Sequence, residues 1–296
     1  MLERLAQTLH FAFRQQDAIA RVGRILTTGG FSLKKLLAAA IAFVEMFGCV
    51  ISDYPVTPVG EGPVLDGYEQ VFFDDFNGDA LDQSVWQLRH PGTNSYRQAT
   101  VENGNLLLTG AYLEDGENGP GWYSCDLQLR QKYLRGYFEI RCKCSDTADF
   151  WSAFWIQADH PYDHALSAGG VGGCELDIFE SMFSSESSAL RRNAVVQTVH
   201  CNGWDDDEEH IDSRILGKFK VDDPYGEYHT YALQWTETEY IFYIDGVEST
   251  RTSFGNGVSQ VEEYVCVSLC TPQEWTISRD TRAVFTVDYV KILQLP

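Results

Sequence analysis

The sequence predicts an all-β protein, and three observations carry this prediction. From about residue 68 onward, short runs rich in Val, Ile, Phe, Tyr and Trp alternate with Gly, Asn and Asp. The pairs Asn103-Gly104 and Asp245-Gly246 lie between apolar runs, and such pairs favour β-hairpin turns. The 296 residues are 44% hydrophobic and 13% aromatic, which suits one large core. Many short strands joined by regular turns indicate a sandwich or a barrel.

The N-terminal segment, residues 1–52, has a different pattern. Apolar residues recur at helical spacing over residues 2–26, which predicts an amphipathic helix. Lys34-Lys35 precede an apolar run at residues 36–44, and this resembles the basic and apolar parts of a signal peptide. The run is shorter than the ~20 apolar residues of a transmembrane helix. Two interpretations stay open: an export or membrane element, and a helical hairpin packed on the protein.

Residues 53–67 are rich in Pro and Gly and predict a linker, so that residues 68–296 form the main domain. The eight cysteines lie mostly inside strand-like runs of a chain far larger than a disulfide scaffold. We therefore expect buried free thiols in preference to disulfides.

The net charge limits the partners of this protein. With Lys+Arg 22 and Asp+Glu 43, the formal charge is −21. A chain this acidic repels nucleic acid phosphates. It also repels strongly sulfated or carboxylated polymers, so the charge favours a neutral partner.

A row of carboxylates marks the candidate site. Glu175 and Asp177 point to the same face of a strand, because strand side chains alternate with period two. Glu180 joins that face only if a β-bulge at Ile178-Phe179 adds one residue. Such a row suits paired acid and nucleophile chemistry on a glycosidic bond. The alternative is a solvated sheet face, which the apolar neighbours of the row disfavour.

The segment Glu175-x-Asp177-x-x-Glu180 resembles the signature of glycoside hydrolase family 16 in its bulged, laminarinase-like form. Ordered similarity covers residues 68–296. It includes Phe72-Phe73-Asp74-Asp75-Phe76-Asn77-Gly78, Gly136-Tyr137-Phe138-Glu139-Ile140-Arg141, residues 151–156, His229-Thr230-Tyr231-Ala232-Leu233-Gln234-Trp235 and Phe285-Thr286-Val287-Asp288-Tyr289-Val290. The resemblance implies a concanavalin-like β-jelly roll sandwich, with residues 68–296 as the catalytic domain. The N-terminal helical segment, which is predicted from its apolar spacing, precedes this domain.

The resemblance also implies roles for single residues. Glu175 corresponds to the nucleophile of a retaining enzyme, Glu180 to the general acid and base, and Asp177 to the residue that orients Glu175. His200 resembles the histidine that helps to poise the acid and base; the alternative is an ordinary half-buried histidine. The candidates for stacking on sugar rings are Trp151, Trp155 and Trp275, each of which could instead belong to the core. No cofactor is expected beyond a structural calcium ion near Asp288.

The implied activity is endo-hydrolysis of β-1,3-glucan or mixed β-1,3/1,4-glucan by a secreted or membrane-associated enzyme, with a cytoplasmic enzyme as the alternative. Three other functions stay open: a glycosidase on a galactan, of the agarase or carrageenase kind, a transglycosylase, and a non-catalytic carbohydrate-binding jelly roll. The family's late Gly-Gly-x-Trp loop is replaced here by residues 271–275, so one wall of the cleft differs from the family pattern.

Overall fold

The computed structural model describes residues 55–90, 93–161, 164–182, 193–201, 212–253, 255–271 and 277–296. The predicted N-terminal helices, at residues 1–52, lie outside this part of the chain, as do Trp275 and the Cys49 thiol. Residues 55–296 form one compact unit. Within the described residues, no helix is long and apolar enough to cross a membrane.

Two antiparallel sheets form this unit, which confirms the predicted all-β sandwich. The strands of the nine-stranded sheet are β1 (Glu69–Asp74), β3 (Ala99–Glu102), β4 (Asn105–Leu113), β5 (Gly121–Tyr123), β7 (Gly136–Lys143), β12 (His229–Trp235), β13 (Tyr240–Ile244), β14 (Val247–Thr252) and β16 (Arg282–Gln294). They run in the order β14-β13-β12-β7-β16-β4-β3, with β1 beside β16 and β5 beside β4.

The seven-stranded sheet carries the candidate site. Its strands are β2 (Trp86–Leu88), β6 (Cys125–Tyr133), β8 (Trp151–Gln157), β9 (Glu175–Met182), β10 (Ala194–Cys201), β11 (Asp212–Lys220) and β15 (Glu263–Cys270). They run in the order β11-β10-β9-β8-β15-β6-β2. A short helix α1 (His164–Ser167) follows β8, and 3₁₀ turns occur at Tyr96–Gln98 and Ala168–Gly170.

The main core lies between the sheets, where the inward residues of both sheets pack together. Phe179 of β9 stacks on Tyr231 of β12, with ring centroids 4.0 Å apart, and meets Phe285 of β16 edge to face. These rings pack the seven-stranded sheet against the nine-stranded sheet. All the cysteines in the described ranges are free, and all but Cys270 are buried. That agrees with the expectation of free thiols.

Residues 55–68 contact both sheets before the first strand begins. Val56 pairs in parallel with Phe219 on β11, the edge strand of the seven-stranded sheet. Gly60 N donates to the carbonyl oxygen of Glu248 on β14, at the edge of the other sheet, and Glu248 N donates to the carbonyl oxygen of Glu61. This stretch therefore covers polar backbone groups at both open edges, which protects them from pairing with another chain.

We expect Gly60→Ala to destabilise the protein, because a Cβ at residue 60 would lie 2.5 Å from the Cβ of Glu248. Relieving such overpacking costs about 1–3 kcal/mol. Thermal unfolding of Gly60→Ala and of the control Gly78→Ala checks this, since a Cβ at residue 78 meets only a carbonyl oxygen at 3.7 Å. Equal melting temperatures for the two variants would show that this edge contact contributes nothing.

Candidate active site

The predicted bulge is present in β9. Phe154 of β8 pairs with Phe179, while the next residue, Trp155, pairs with Asp177, so that the register skips Ile178. The other neighbour, β10, shows the same shift. Ile178 and Phe179 are both fully buried, whereas a regular strand would turn one of them outward. The extra residue therefore places Glu180 on the face of Glu175 and Asp177.

Five polar side chains converge on this face: Glu175, Asp177 and Glu180 of β9, Gln157 of β8 and His200 of β10. Asp177 is only 5% exposed, and its Oδ2 lies 3.1 Å from Nε2 of His200 on β10. The polar atoms of this face lie close together: within 4.8 Å of one another are one atom of Glu175, one of Asp177 and one of His200. The amide Nε2 of Gln157 on β8 donates to Oε2 of Glu175. The structure thus brings together all the residues that the sequence assigned to catalysis and its support.

Burial sets the protonation of this cluster. Burial first, and the charge of Glu175 second, raise the pKa of Asp177 well above its ordinary range. The pKa of Glu180 is raised to about 8, by burial first and then by Asp177, while His200 opposes the rise. Glu175 also raises this pKa, and it contributes least among these causes. A carboxyl with this pKa holds its proton at neutral pH, as a general acid must.

A cleft of about 480 Å³ lies over the carboxylates, a volume typical of ligand sites. Trp151 and Trp155 both line it. The indole Nε1 of Trp155 donates to Oγ of Ser268, 3.1 Å away, and the guanidinium of Arg89 lies 4.7 Å from its ring centroid. One face of Trp155 is therefore covered by a cation. Stacking of Trp151 and Trp155 on sugar rings stays a prediction.

Sequence reasoning missed Arg89, Gln157 and Asp126. Arg89 lines the cleft and donates to Oε1 of Gln128 at 2.8 Å. Burial raises the pKa of Asp126 to about 7, with Glu175 adding to the rise and Arg89 opposing it. A signal was available for Gln157, because its outward position on β8 follows from the alternation that places Trp151 and Trp155 there.

A further buried acid, Glu263, contacts the backbone just before the row. Glu263 is fully buried at the start of β15, and its Oε1 accepts a hydrogen bond of 3.1 Å from the backbone N–H of Cys174, the residue before Glu175. Burial is the main cause that raises the pKa of Glu263 to about 8. In the sequence, Glu263 follows Glu262 and gives no sign that it is buried.

The predicted calcium site at Asp288 is not supported by its surroundings. The Asp288 carboxylate forms an ion pair with Arg141, and a cation already beside it disfavours a second one. Asp74, which the family resemblance also implies to be near this ion, accepts hydrogen bonds from the backbone N–H of Phe76 and from Nε1 of Trp86. Among the described side chains, the one group of three potential metal ligands is Glu175, Asp177 and His200. The calcium site stays a prediction of the sequence.

Comparison with known proteins identifies the class to which this fold and site belong. A sequence profile described as "Beta-porphyranase A-D, GH16 domain" matches residues 69–295. The chain therefore belongs to glycoside hydrolase family 16, as the bulged motif predicted.

The relatives carry several different names. Endo-1,3-1,4-beta-glycanase ExsH of Rhizobium meliloti (strain 1021) is 30% identical over 212 residues, which are 69% of this chain and 41% of that protein. Beta-porphyranase E of Zobellia galactanivorans is 25% identical over 195 residues, 59% of this chain and 65% of that protein. The match thus spans about two-fifths to two-thirds of the length of these relatives.

Solved structures share the fold. SCLam, described as a non-specific endo-beta-1,3(4)-glucanase from family GH16, superposes with a TM-score of 0.64 at 20% identity. The superposition covers 82% of this chain and 98% of SCLam. The jelly roll implied by the sequence is therefore the fold of this domain.

We expect Glu180→Gln to stabilise the protein at alkaline pH. The pKa of Glu180 is about 8 when folded, against 4.5 for an ordinary Glu. The folded state therefore binds the proton more tightly, and the free energy of unfolding falls as pH rises from about 4.5 to about 8. Gln cannot ionise, so the free energy of unfolding of Glu180→Gln does not fall with pH for this reason.

Denaturant unfolding at pH 5, 7 and 9 measures the difference between Glu180→Gln and the wild type, which should be smallest at pH 5 and largest at pH 9. The exposed Glu102→Gln serves as the control for the substitution of a Glu by Gln itself. A constant difference for Glu180→Gln across this range would contradict the raised pKa.

Proposed function

We propose that this protein is a retaining, endo-acting glycoside hydrolase that cleaves β-1,3-glucan or mixed β-1,3/1,4-glucan by double displacement. The observation that carries the proposal is the bulge at Ile178, which puts Glu175 and Glu180 on one face of a cleft. Their environments differ, because burial raises the pKa of Glu180 to about 8 and Glu180 therefore keeps its proton at neutral pH. Two carboxyls with separated roles are what glycosidic cleavage requires.

Each residue then has a defined step. Glu180 protonates the leaving glycosidic oxygen while Glu175 attacks the anomeric carbon and forms a glycosyl-enzyme bond. Glu180, now ionised, takes a proton from water, which displaces Glu175 with net retention. Gln157 orients the attacking carboxylate through its hydrogen bond to Oε2. Asp177, held by His200 at 3.1 Å, keeps the row in place.

A neutral β-glucan is supported by two observations. The chain has a net charge of −21, which disfavours polyanionic chains. One relative is named an endo-1,3-1,4-beta-glycanase. The N-terminal residues 1–52 would then direct the enzyme outside the cell or to a membrane, where such polymers occur.

A galactan of the porphyran kind is the second candidate. The matching profile and one relative are named for porphyranases. Arg89 also brings a cation to the wall of the cleft, where it could face a charged group on a sugar. This local cation opposes the argument from net charge, because the field inside a cleft depends on its own lining.

Reducing-sugar release from laminarin, lichenan, xyloglucan, agarose, κ-carrageenan and porphyran separates these candidates. We expect cleavage of laminarin or lichenan, with mid-length oligosaccharides as the early products. Cleavage of the galactans alone would overturn the glucan proposal and leave the hydrolase standing. Cleavage of none of them, with binding retained, would favour a carbohydrate-binding protein.

Glu175→Gln should lower kcat by at least about 10³-fold, because no covalent intermediate can form when the nucleophile is removed. Glu180→Gln should lower kcat by about 10²- to 10⁴-fold on a polysaccharide. Proton NMR of the first-formed reducing end should show the β-anomer. An α-anomer as the first product would contradict a retaining mechanism, and unchanged activity of Glu175→Gln would contradict the assignment of the nucleophile.

The wild-type pH profile should lose activity as pH rises through about 8, since Glu180 acts in its protonated form and its pKa lies there. Initial rates between pH 5 and 10 check this limb. A rate that stays level to pH 10 would show that another group supplies the proton.

A further inference from the structure

Resting on the proposed function, we propose that Gln197 of β10 is a positioning residue for Glu180, which it holds on the catalytic face by supporting the bulge at Ile178. The side chain of Gln197 is fully buried. It lies opposite the bulge, because Val196 pairs with Glu180 and Thr198 pairs with Asp177. Two residues of β9 therefore face the one residue Gln197.

A bulge disturbs the hydrogen bonds of the ladder, and a buried backbone carbonyl must find a partner. The amide Nε2 of Gln197 donates to the carbonyl oxygen of Ile178 over 3.0 Å, in a buried setting. The direction of the amide follows from this contact, because only its nitrogen can donate to a carbonyl. Gln197 thus provides a hydrogen-bond partner for the backbone carbonyl of Ile178, the extra residue of the bulge.

The other end of Gln197 reaches the opposite sheet. Its Oε1 lies 2.7 Å from Oγ of Ser249 on β14, and Ser249 Oγ also lies 3.1 Å from the carbonyl oxygen of Phe242. The single hydroxyl proton is shared between these two acceptors. The result is a polar link that crosses the apolar core from Ser249 through Gln197 to Ile178.

This link fixes the outward direction of Glu180. Thr198 and His200 lie on the other face of β10 from Gln197, since strand side chains alternate, and His200 holds Asp177. β10 therefore supports the row from both faces of the sheet: Gln197 contacts β9 on the core face, and His200 contacts Asp177 on the cleft face. Without the link, a regular register would return Glu180 toward the core.

The test compares Gln197→Met with the wild type on two substrates that differ in their need for an acid. One is the polysaccharide that the wild type cleaves, and the other is the 2,4-dinitrophenyl glycoside of its oligosaccharide product. A good leaving group departs without protonation. We expect kcat on the polysaccharide to fall by about 10²-fold, while first-turnover release of dinitrophenolate changes by less than about threefold.

Azide, which needs no general base, should restore steady turnover of the aryl glycoside by Gln197→Met. Gln234→Met is the matched control, because Gln234 is also a buried glutamine that bridges polar groups, to Val64 and Tyr243. Gln234→Met should lower the stability of the protein. It should not change the ratio of kcat on the polysaccharide to the rate of dinitrophenolate release. A parallel fall of both rates in Gln197→Met, or no fall, overturns the proposal.

Two further measurements apply if Gln197→Met does not fold or if the wild type cleaves no polysaccharide. If Gln197→Met does not fold, Ser249→Ala should shift the ratio in the same direction by a smaller factor, and an unchanged ratio overturns the proposal. If the wild type cleaves no polysaccharide, the proposed function fails, and a crystal structure of the variant decides the positioning. If the bulge at Ile178 and the direction of the Glu180 side chain are unchanged in the crystal structure of Gln197→Met, the positioning role of Gln197 is excluded.

Discussion

The site depends on one constraint: three carboxylates share a face of β9 although a regular strand would divide them between two faces. The bulge at Ile178 solves this geometric problem, and it turns two consecutive apolar residues, Ile178 and Phe179, into the core. The stacking of Phe179 on Tyr231 then contributes to sandwich packing. The same backbone irregularity thus serves the cleft on one side of the sheet and the core on the other.

Desolvation gives this row its chemistry. A charged carboxylate taken out of water shifts its protonation in preference to paying the full cost of burial. Burial is the leading cause of the raised pKa at Asp126, Asp177, Glu180 and Glu263. These acids lower stability as pH rises, because the folded state binds their protons more tightly. A site of this kind therefore exchanges stability for a proton held at neutral pH.

The polar groups that support the row come from several strands. Gln157 of β8 holds Glu175, His200 of β10 holds Asp177, and Glu263 of β15 accepts from the residue before Glu175. These partners lie on strands of the same seven-stranded sheet as the row, so the fold itself provides the groups that hold the row. Such preorganisation is the main source of electrostatic catalysis in enzymes.

The sequence by itself determined the all-β class, the membership of the family, the acids of the row and the bulge between them. The acids and the bulge follow from alternation and spacing along one strand. The all-β class follows from short apolar runs joined by hairpin turns, and the family from ordered similarity over residues 68–296. A sequence displays all of these directly. The tertiary structure alone decided which groups surround the row: Arg89 over Trp155, the buried Glu263, and the link from Ser249 to Gln197 across a separation of 52 residues. Burial and contact depend on how distant strands pack, so a polar residue such as Gln197 looks the same in a sequence whether it faces water or spans a core.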